Sequence, residues 1–345
     1  MTVFGTRTAL AVLVFFLIGV PAINLILVRQ YIAGYSDPDA LRFEKDVRVN
    51  STYLSPLKNK RFAEVTDRGR DWVWLGNSTQ LIYSRAMLEA ALPCKPDSFF
   101  NYAIHNTDAK ALVNLLPVID RRLGSEDAIV IGVGPSMFFA TSPSLNYDLY
   151  APWLDTLQTL TAAVTYNRGR LYPLIFDRKE FRLSTGYYKS LASFIERGAE
   201  AQPDELWRPD GSTEFIGMAK ILEQIRNGTR PEPRFKEFLR QSVAEDYDEE
   251  AFRDLSDVLR SMKAKVIFVE HVFYAHDADQ IMYRDMTHFR TLIESHIGQR
   301  PYFVPVSSTD YDDFYDQVHL LPSGATKVLS SIREGLTPQL CQGVS

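Results

Sequence analysis

Cysteine is scarce in this chain, and positive charge does not dominate it. Only two cysteines, Cys94 and Cys341, occur among 345 residues. They lack metal-site spacing and a nearby histidine, which argues against a zinc site. They either pair in an oxidising compartment or remain two unrelated thiols. Lys and Arg number 38 against 43 Asp and Glu, a formal net charge of -5. Without a basic excess, nucleic acid is not expected as a partner.

Repeats and low-complexity tracts are also missing, and the bulk composition is that of a folded protein. Hydrophobic residues make up 46% of the chain and charged residues 23%. Roughly the first fifty residues look unlike a globular domain, which leaves about 290 residues for the folded part. That length is enough for one large α/β domain, or for one domain with an inserted cap.

The N-terminus carries the one long apolar run, from Ala9 to Val28, in which only Pro21 and Asn24 intervene. About 20 apolar residues are enough to cross a bilayer as a helix. A cleaved signal peptide is the alternative, with cleavage near 20–22, but apolar character resumes at Ile23. We therefore predict an uncleaved membrane anchor over 1–30, a membrane-proximal linker over 31–70, and a folded domain outside the cytoplasm over 71–345.

From residue 71 onward, short apolar runs alternate with helical segments, which predicts a parallel sheet with helices on both faces. The predicted strands are Trp72–Leu75, Phe99–Ile104, Ala128–Val133, Val266–Val269 and Tyr302–Val306. The predicted helices are Thr79–Ala91, Ala109–Leu123, Glu250–Met262, Ala278–Ile297 and Ser323–Gly335.

A stretch of more than one hundred residues, 135–248, separates the third and fourth predicted strands. It is far longer than an ordinary connection, so we expect an insertion or cap, largely helical. The insertion is rich in tyrosine, phenylalanine and tryptophan. These aromatic residues suit a carbohydrate or lipid-linked substrate, but packing among the helices of the insertion explains them as well.

Two short motifs carry the candidate chemistry. Gly76-Asn77-Ser78 directly follows the first predicted strand, and Asp316-Gln317-Val318-His319 precedes the last helix. A serine at a strand-to-helix turn lies at the carboxyl edge of a parallel sheet, where α/β proteins bind ligands. His319 can take the proton of Ser78, and Asp316 can orient the imidazole. The alternative is structural, because Asn-Ser-Thr before a helix is also a good N-cap.

Both motifs resemble conserved blocks of the SGNH (GDSL-like) hydrolase superfamily. Gly76-Asn77-Ser78 is similar to its first block, and Asp316-x-x-His319-Leu320 to its last. The resemblance implies a flavodoxin-like, doubly wound parallel sheet. It also implies Ser78 as nucleophile, His319 as base and Asp316 as orienting acid, without a cofactor.

The oxyanion hole departs from the family pattern. The second block usually supplies a glycine after the second strand, where this chain has His105 and Asn106. The third block usually supplies an asparagine after the third strand, and Ser136 is its possible replacement. Asn77, beside the nucleophile, is a further candidate for substrate or oxyanion contact.

His271 and His276 follow the fourth predicted strand at the same sheet edge. They line the substrate cleft, lie on the surface, or bind a metal together with Asp277 and Asp279. Because a clear third ligand is lacking, no metal is predicted, and His271 is retained as a cleft candidate.

The N-terminal anchor, the relaxed third block and the large insertion resemble the membrane-anchored branch of the superfamily. This branch includes alginate O-acetyltransferase-like and teichoic-acid D-alanyl-transfer proteins. The resemblance implies a single-pass inner-membrane protein with its domain in the periplasm or extracytoplasmic space. This domain is expected to transfer an acyl group, acetyl in the first place, to an envelope polysaccharide or glycan, or to remove it. A multi-spanning membrane-bound O-acyltransferase is then a possible partner. The alternative is a non-catalytic glycan-binding or scaffold protein with the same fold.

The expected fold also bears on the two cysteines. Cys94 follows the first helix of the domain and Cys341 follows the last. In a doubly wound sheet of this type those helices pack on the same face and run in the same direction. We therefore predict a structural disulfide at the amino-terminal edge of the sheet, away from the active site, with two free thiols as the alternative.

Overall fold

The computed structural model describes residues 46–49, 71–105, 107–139, 205–230, 247–272, 279–298, 309–316 and 318–341, and the single residues 8, 11, 58 and 62. The chain divides into two compact units. The first, Met1–Asp46 with Ala151–Gln202, lies almost wholly outside the described residues. The second, Val47–Tyr150 with Pro203–Ser345, holds the elements given below. Most of the predicted anchor and the predicted strand Tyr302–Val306 lie outside the described residues. Within them, no helix combines the length and hydropathy needed to cross a membrane.

The described part of the chain contains seven strands and six α-helices. The strands are β1 (Val47–Val49), β2 (Asp71–Leu75), β3 (Ser98–Asn101), β4 (Ala128–Val133), β5 (Glu205–Trp207), β6 (Thr213–Phe215) and β7 (Lys265–Glu270). The helices are α1 (Arg85–Ala91), α2 (Ala109–Asp120), α3 (Met218–Arg226), α4 (Glu249–Ser261), α5 (Asp279–His296) and α6 (Pro322–Leu340). Short 3-10 helices cover Ser78–Gln80, Pro135–Phe138 and Tyr311–Asp313.

The central sheet has four parallel strands in the order β3-β2-β4-β7. The chain passes from β2 to β3 on one side and then returns to place β4 on the other side of β2. The strand order therefore reverses between β2 and β4. In open α/β sheets, ligands bind in the crevice at the carboxyl ends of the strands where this reversal occurs. The described core is thus mixed α/β and compatible with a flavodoxin-like arrangement.

Helices cover both faces of this sheet because successive residues of each strand point to opposite sides. Val73 and Leu75 of β2 belong to one apolar cluster, which includes buried residues of α2, α4 and α5. Trp72 and Trp74 belong to a second cluster, which includes buried residues of α1, α3 and α6. Both faces of the strand are buried, as expected for a parallel sheet between two helical layers.

The predicted helix from Thr79 to Ala91 is wrong at its start. A 3-10 helix covers only Ser78–Gln80, and α1 begins at Arg85 after the N-cap Ser84. The reason is a buried side chain from the neighbouring strand. The Asn101 amide Nδ2 donates to the carbonyl oxygens of Gln80, Leu81 and Tyr83 at 2.8, 3.2 and 2.8 Å. These bonds hold the carbonyl oxygens in an irregular turn before α1.

A second, three-stranded sheet has the order β1-β5-β6, with both pairings antiparallel. β1 comes from residues assigned by sequence to the linker 31–70, and β5 and β6 come from the predicted insertion 135–248. The described part of the insertion therefore contains strands as well as helix α3. Asn101 N–H donates to the Asp210 carbonyl at 2.8 Å, which attaches the β5–β6 turn to the end of β3.

Cys94 and Cys341 form a disulfide bond, with Cα atoms 5.6 Å apart. Cys94 follows α1 and Cys341 directly follows α6, and these two helices pack together on one face of the sheet. The described residues contain no free cysteine. The pairing expected from the order of the helices is therefore present, near the amino-terminal edge of the parallel sheet.

Candidate active site

Ser78 lies where the strand order reverses, just beyond the carboxyl end of β2. Leu75 is paired with Ile131, which brings Gly76 beside Gly132 of β4. Gly76 has φ +143°, a backbone conformation that residues other than glycine rarely adopt. The chain can therefore turn sharply after the strand and present residues 77 and 78 at the edge of the sheet.

The side chain of Gln80 packs over both glycines. A Cβ atom on Gly132 would come within 2.0 Å of Gln80 Cδ, and one on Gly76 would come within 2.4 Å of Gln80 Cγ. Gln80 Oε1 also accepts a hydrogen bond from Trp74 Nε1 at 3.0 Å. The two glycines thus make room for a buried glutamine that supports the turn carrying Ser78.

Asn77, rather than Ser78, serves as the helix cap. Asn77 Oδ1 accepts from the backbone N–H of Thr79 at 3.1 Å and from its hydroxyl at 2.6 Å. The Ser78 hydroxyl is instead 2.8 Å from His319 Nε2. The capping interpretation of this motif is therefore correct for Asn77, and it leaves the hydroxyl of Ser78 in contact with an imidazole.

His319 bridges Ser78 and Asp316. His319 Nδ1 is 3.0 Å from Asp316 Oδ1 and 2.9 Å from Oδ2, and its Nε2 is 2.8 Å from Ser78 Oγ. A proton on Nδ1, held by the carboxylate, leaves the lone pair on Nε2 facing the hydroxyl. This is the hydrogen-bonding order of a serine–histidine–carboxylate triad.

A tight loop holds Asp316 and His319. Tyr315 N–H donates to the His319 carbonyl at 2.7 Å, and Asp316 Oδ1 accepts from the backbone N–H groups of Val318 and His319, each at 2.9 Å. Burial alone would raise the pKa of Asp316, but the hydrogen bonds from the His319 ring and from these N–H groups hold it well below its usual value. Asp316 is therefore ionised at neutral pH.

Arg230 is the last residue of the described segment 205–230 of the insertion. It holds the residues just before this loop in place. Its guanidinium donates to the carbonyl oxygens of Tyr311 at 2.8 Å, Phe314 at 2.5 Å and Tyr315 at 3.3 Å. It also lies 3.7 Å from the centroid of the Tyr311 ring. The Arg230 side chain is 5% exposed, so these bonds are shielded from water. The insertion therefore helps to position the loop that carries Asp316 and His319.

His271 lies behind the triad and is buried. The backbone N–H of His271 donates to the Val133 carbonyl at 2.8 Å. Its ring Nδ1 is 3.5 Å from Gln80 Nε2. Burial and the nearby charge of His319 lower the pKa of His271 to about 3. His271 is thus neutral at physiological pH and supports the site from within, rather than facing an open cleft.

The insertion also provides an aromatic side chain to the site. Phe215 of β6 packs against the His319 ring, with centroids 4.8 Å apart, and stacks on Tyr315 at 5.2 Å. The Phe215 centroid also lies 6.0 Å from that of the His105 ring. The sequence indicated an aromatic-rich insertion but did not single out Phe215, because nothing in its local pattern shows that β6 adjoins the triad.

The remaining candidates differ in their placement. His105 lies on the turn after β3, where Ile104 N–H donates to the Gly76 carbonyl at 3.0 Å. Ser136 is exposed, in the 3-10 helix that follows β4. Asn106 and His276 lie outside the described residues. In the described part of the chain, no group of His, Cys, Asp and Glu is arranged to hold a metal ion.

Comparison with known protein families and with curated proteins gave no match. The functional argument for this chain therefore depends on its own residues and their geometry.

Proposed function

We propose that this protein is an SGNH-like serine acyltransferase or esterase with Ser78 as the nucleophile, His319 as the base and Asp316 as the orienting acid. The observation that carries the proposal is the 2.8 Å contact between Ser78 Oγ and His319 Nε2, with Nδ1 on Asp316. Its place at the reversal of strand order supports a catalytic use. The order β3-β2-β4-β7 also corresponds to that of the first four strands of flavodoxin-like sheets.

The first half-reaction forms an acyl-enzyme. Ser78 Oγ bonds to the acyl carbonyl carbon while its proton passes to His319 Nε2. The tetrahedral intermediate then collapses, the bond to the leaving group breaks, and the proton on Nε2 goes to that group. Asp316 stabilises the imidazolium that exists between the two transfers.

The second half-reaction releases the acyl group. A hydroxyl of the acceptor, or a water molecule, bonds to the acyl carbon and gives its proton to His319 Nε2. The bond to Ser78 Oγ then breaks, and Oγ takes the proton back. Transfer to a sugar hydroxyl gives an O-acylated glycan, whereas transfer to water gives ester hydrolysis.

The oxyanion donors differ from those at the start of an ordinary helix. The N–H groups of Thr79 and Gln80 already donate to Asn77, to Oδ1 at 3.1 Å and to the carbonyl oxygen at 3.0 Å. The turn at 104–105, bonded to the Gly76 carbonyl, is the nearest segment of the second block. Because the N–H of Ile104 is itself engaged with Gly76, an oxyanion at Ser78 needs an N–H donor other than those of Thr79, Gln80 and Ile104.

We place this activity outside the cytoplasm, on a polysaccharide or other glycan of the cell envelope, with acetyl as the acyl group. The disulfide between Cys94 and Cys341 supports an oxidising compartment. The apolar run at residues 9–28 supports a single-pass inner-membrane anchor. A membrane-bound O-acyltransferase would then supply the acyl group. The contact between Ser78 and His319 favours this catalytic proposal over a non-catalytic scaffold.

Replacement of Ser78 by Ala tests the proposal. The purified full-length chain is mixed with p-nitrophenyl acetate, and the burst of p-nitrophenol that marks acyl-enzyme formation is measured. We expect a burst close to one equivalent for the wild type and none for Ser78→Ala. Ser330→Ala, on the exposed side of α6, is the matched control and should retain the burst. An undiminished burst in Ser78→Ala would refute the assignment of the nucleophile. In cells, Ser78→Ala should also lower the acyl content of the envelope glycans.

A further inference from the structure

A second carboxylate–imidazole pair lies beside the triad. His105 Nε2 is hydrogen-bonded to Glu205 Oε1. The Glu205 side chain is 1% exposed, whereas that of His105 is 23% exposed. A buried carboxylate thus orients a histidine that reaches solvent, as Asp316 orients His319. The bond to Glu205 fixes the proton on Nε2, so that the lone pair of the neutral ring lies on Nδ1.

This pair faces the same aromatic ring as the catalytic histidine. Glu205 of β5 is directly opposite Phe215 of β6 in the antiparallel register, so both side chains lie on one face of the second sheet. The Phe215 centroid is 6.0 Å from that of His105 and 4.8 Å from that of His319. Both imidazoles therefore lie close to the same phenyl ring.

A buried lysine, Lys58, lies near the carboxylate of Glu205. Lys58 is fully buried and donates to the carbonyl oxygens of Asn101 at 3.0 Å and Ala103 at 2.6 Å. Burial lowers the pKa of Lys58 to about 7, while the carboxylates of Glu205 and Asp210 act against this shift. Glu205 Oε2 is buried without a hydrogen-bond partner in the described part of the chain. Burial of a carboxylate is costly, and the nearby Lys58 offsets part of that cost.

We propose that His105, positioned by Glu205, binds the acceptor hydroxyl in the second half-reaction. The inference rests on the proposed function and adds to it the side chain that binds the acceptor, a sugar or polyol hydroxyl. His105 Nδ1 accepts a hydrogen bond from this acceptor, and His319 Nε2 remains the base that removes the reacting proton. His105 directly follows Ile104, whose N–H is bonded to the carbonyl of Gly76, two residues before Ser78. Glu205 is then a positioning residue.

The experiment separates the two half-reactions. The full-length chain is acylated with p-nitrophenyl acetate in the presence of glycerol or methyl glucoside, and the acetyl ester and free acetate are quantified. For His105→Gln we expect an unchanged burst and a ratio of transfer to hydrolysis that falls about tenfold, as for loss of one hydrogen bond. Glu205→Gln should lower the ratio less, mainly by raising the KM for the acceptor. His288→Gln, an exposed histidine on α5, is the control and should match the wild type.

Each other outcome overturns the assignment. An unchanged ratio in His105→Gln shows that the pair does not bind the acceptor. If His105→Gln loses both the burst and the transfer, His105 serves folding or acylation instead. A wild-type protein that forms the acyl-enzyme but transfers to neither polyol removes the assigned acceptor class while leaving the nucleophile intact. A wild-type protein without a burst refutes the proposed function, and this inference with it.

Discussion

The Phe215 ring and the His319 imidazole are in edge-on contact, with centroids 4.8 Å apart and planes at 68°. Phe215 comes from the insertion and His319 from the C-terminal motif, so the contact joins two distant parts of the sequence. Such aromatic contacts favour one orientation of each ring. The insertion therefore contributes to the orientation of the His319 ring as well as to the shape of the candidate site.

Phe215→Ala removes this contact and the stacking on Tyr315. We expect the acylation and deacylation rates both to fall about tenfold, because His319 moves a proton in each step and each aromatic pair contributes about 0.5–1.5 kcal/mol. Stopped-flow measurement of the burst and of the steady state gives the acylation and deacylation rates separately. Ile216→Ala changes an adjacent side chain that is 37% exposed, and it should leave both rates unchanged. Equal rates in Phe215→Ala and the wild type would show that the ring does not orient His319.

Arg230→Lys retains the positive charge but loses the planar group that reaches three carbonyl oxygens. We expect the free energy of unfolding to fall by about 2 kcal/mol, because hydrogen bonds to charged groups contribute about 1.5–3 kcal/mol each and lysine retains some of them. The rate of acylation should fall as well, since the loop carrying Asp316 and His319 is less well held. Urea unfolding and burst kinetics measure the two effects.

Arg226→Lys is the matched control for this change. Arg226 ends α3 and is exposed, so the same substitution there should alter neither stability nor rate. If Arg230→Lys lowered stability without slowing acylation, the hydrogen bonds of Arg230 would stabilise the fold without affecting the candidate site.

Gly132→Ala introduces a methyl group into the space occupied by Gln80. Because the new Cβ atom would lie 2.0 Å from Gln80 Cδ, we expect a loss of about 1–3 kcal/mol in the free energy of unfolding. In a Gln80→Ala background the obstructing atoms are absent, so the same change should cost much less. Chemical denaturation of the two single variants and the double variant gives the coupling energy. Additive effects would contradict direct packing of Gln80 on Gly132.

His271 makes stability depend on pH. Its folded pKa is about 3, below the value of about 6.5 in an unfolded chain. The contribution of neutral His271 to the free energy of unfolding is therefore fully present above about pH 6.5. It is lost as the pH falls towards 3, because the unfolded chain takes up the proton first. Between pH 7 and pH 5 this loss amounts to about 2 kcal/mol.

His271→Gln should abolish that part of the pH dependence. The groups that act on His271 are His319, Asp316, Gln80 and the Val318 backbone, and all remain in the variant. Urea unfolding at pH 7, 6 and 5 measures the free energy of both proteins. We expect the stability difference between wild type and variant to change by about 2 kcal/mol across this range. A constant difference would show that His271 is not buried in its neutral form.

The four parallel strands could be predicted because each contains an apolar run that needs both faces covered. The predicted Ala128–Val133 coincides with β4, and Val266–Val269 lies within β7. The start of α1 could not be predicted in the same way. Its position depends on the Asn101 amide, which reaches back to carbonyl groups about twenty residues earlier, and local propensity does not show such a bond.

The same distinction applies to the candidate site. Ser78, Asp316 and His319 belong to compact motifs, so their contact could be predicted from residue types and from the order of strands and helices. Arg230 and Phe215 act through tertiary contacts, and nothing in their own neighbourhoods distinguishes them from other residues of the insertion. Glu205 cannot be predicted from its own neighbourhood either, because its partner His105 lies 100 residues away.

The Cys94–Cys341 bond joins residues 247 positions apart and encloses the whole predicted insertion. Ser78 lies before the first cysteine and His319 before the second. A protease that cuts a single peptide bond in the insertion would therefore leave Ser78 and His319 on two fragments of one covalent molecule. In an environment rich in proteases, the two fragments of a cleaved chain would stay linked until the disulfide was reduced.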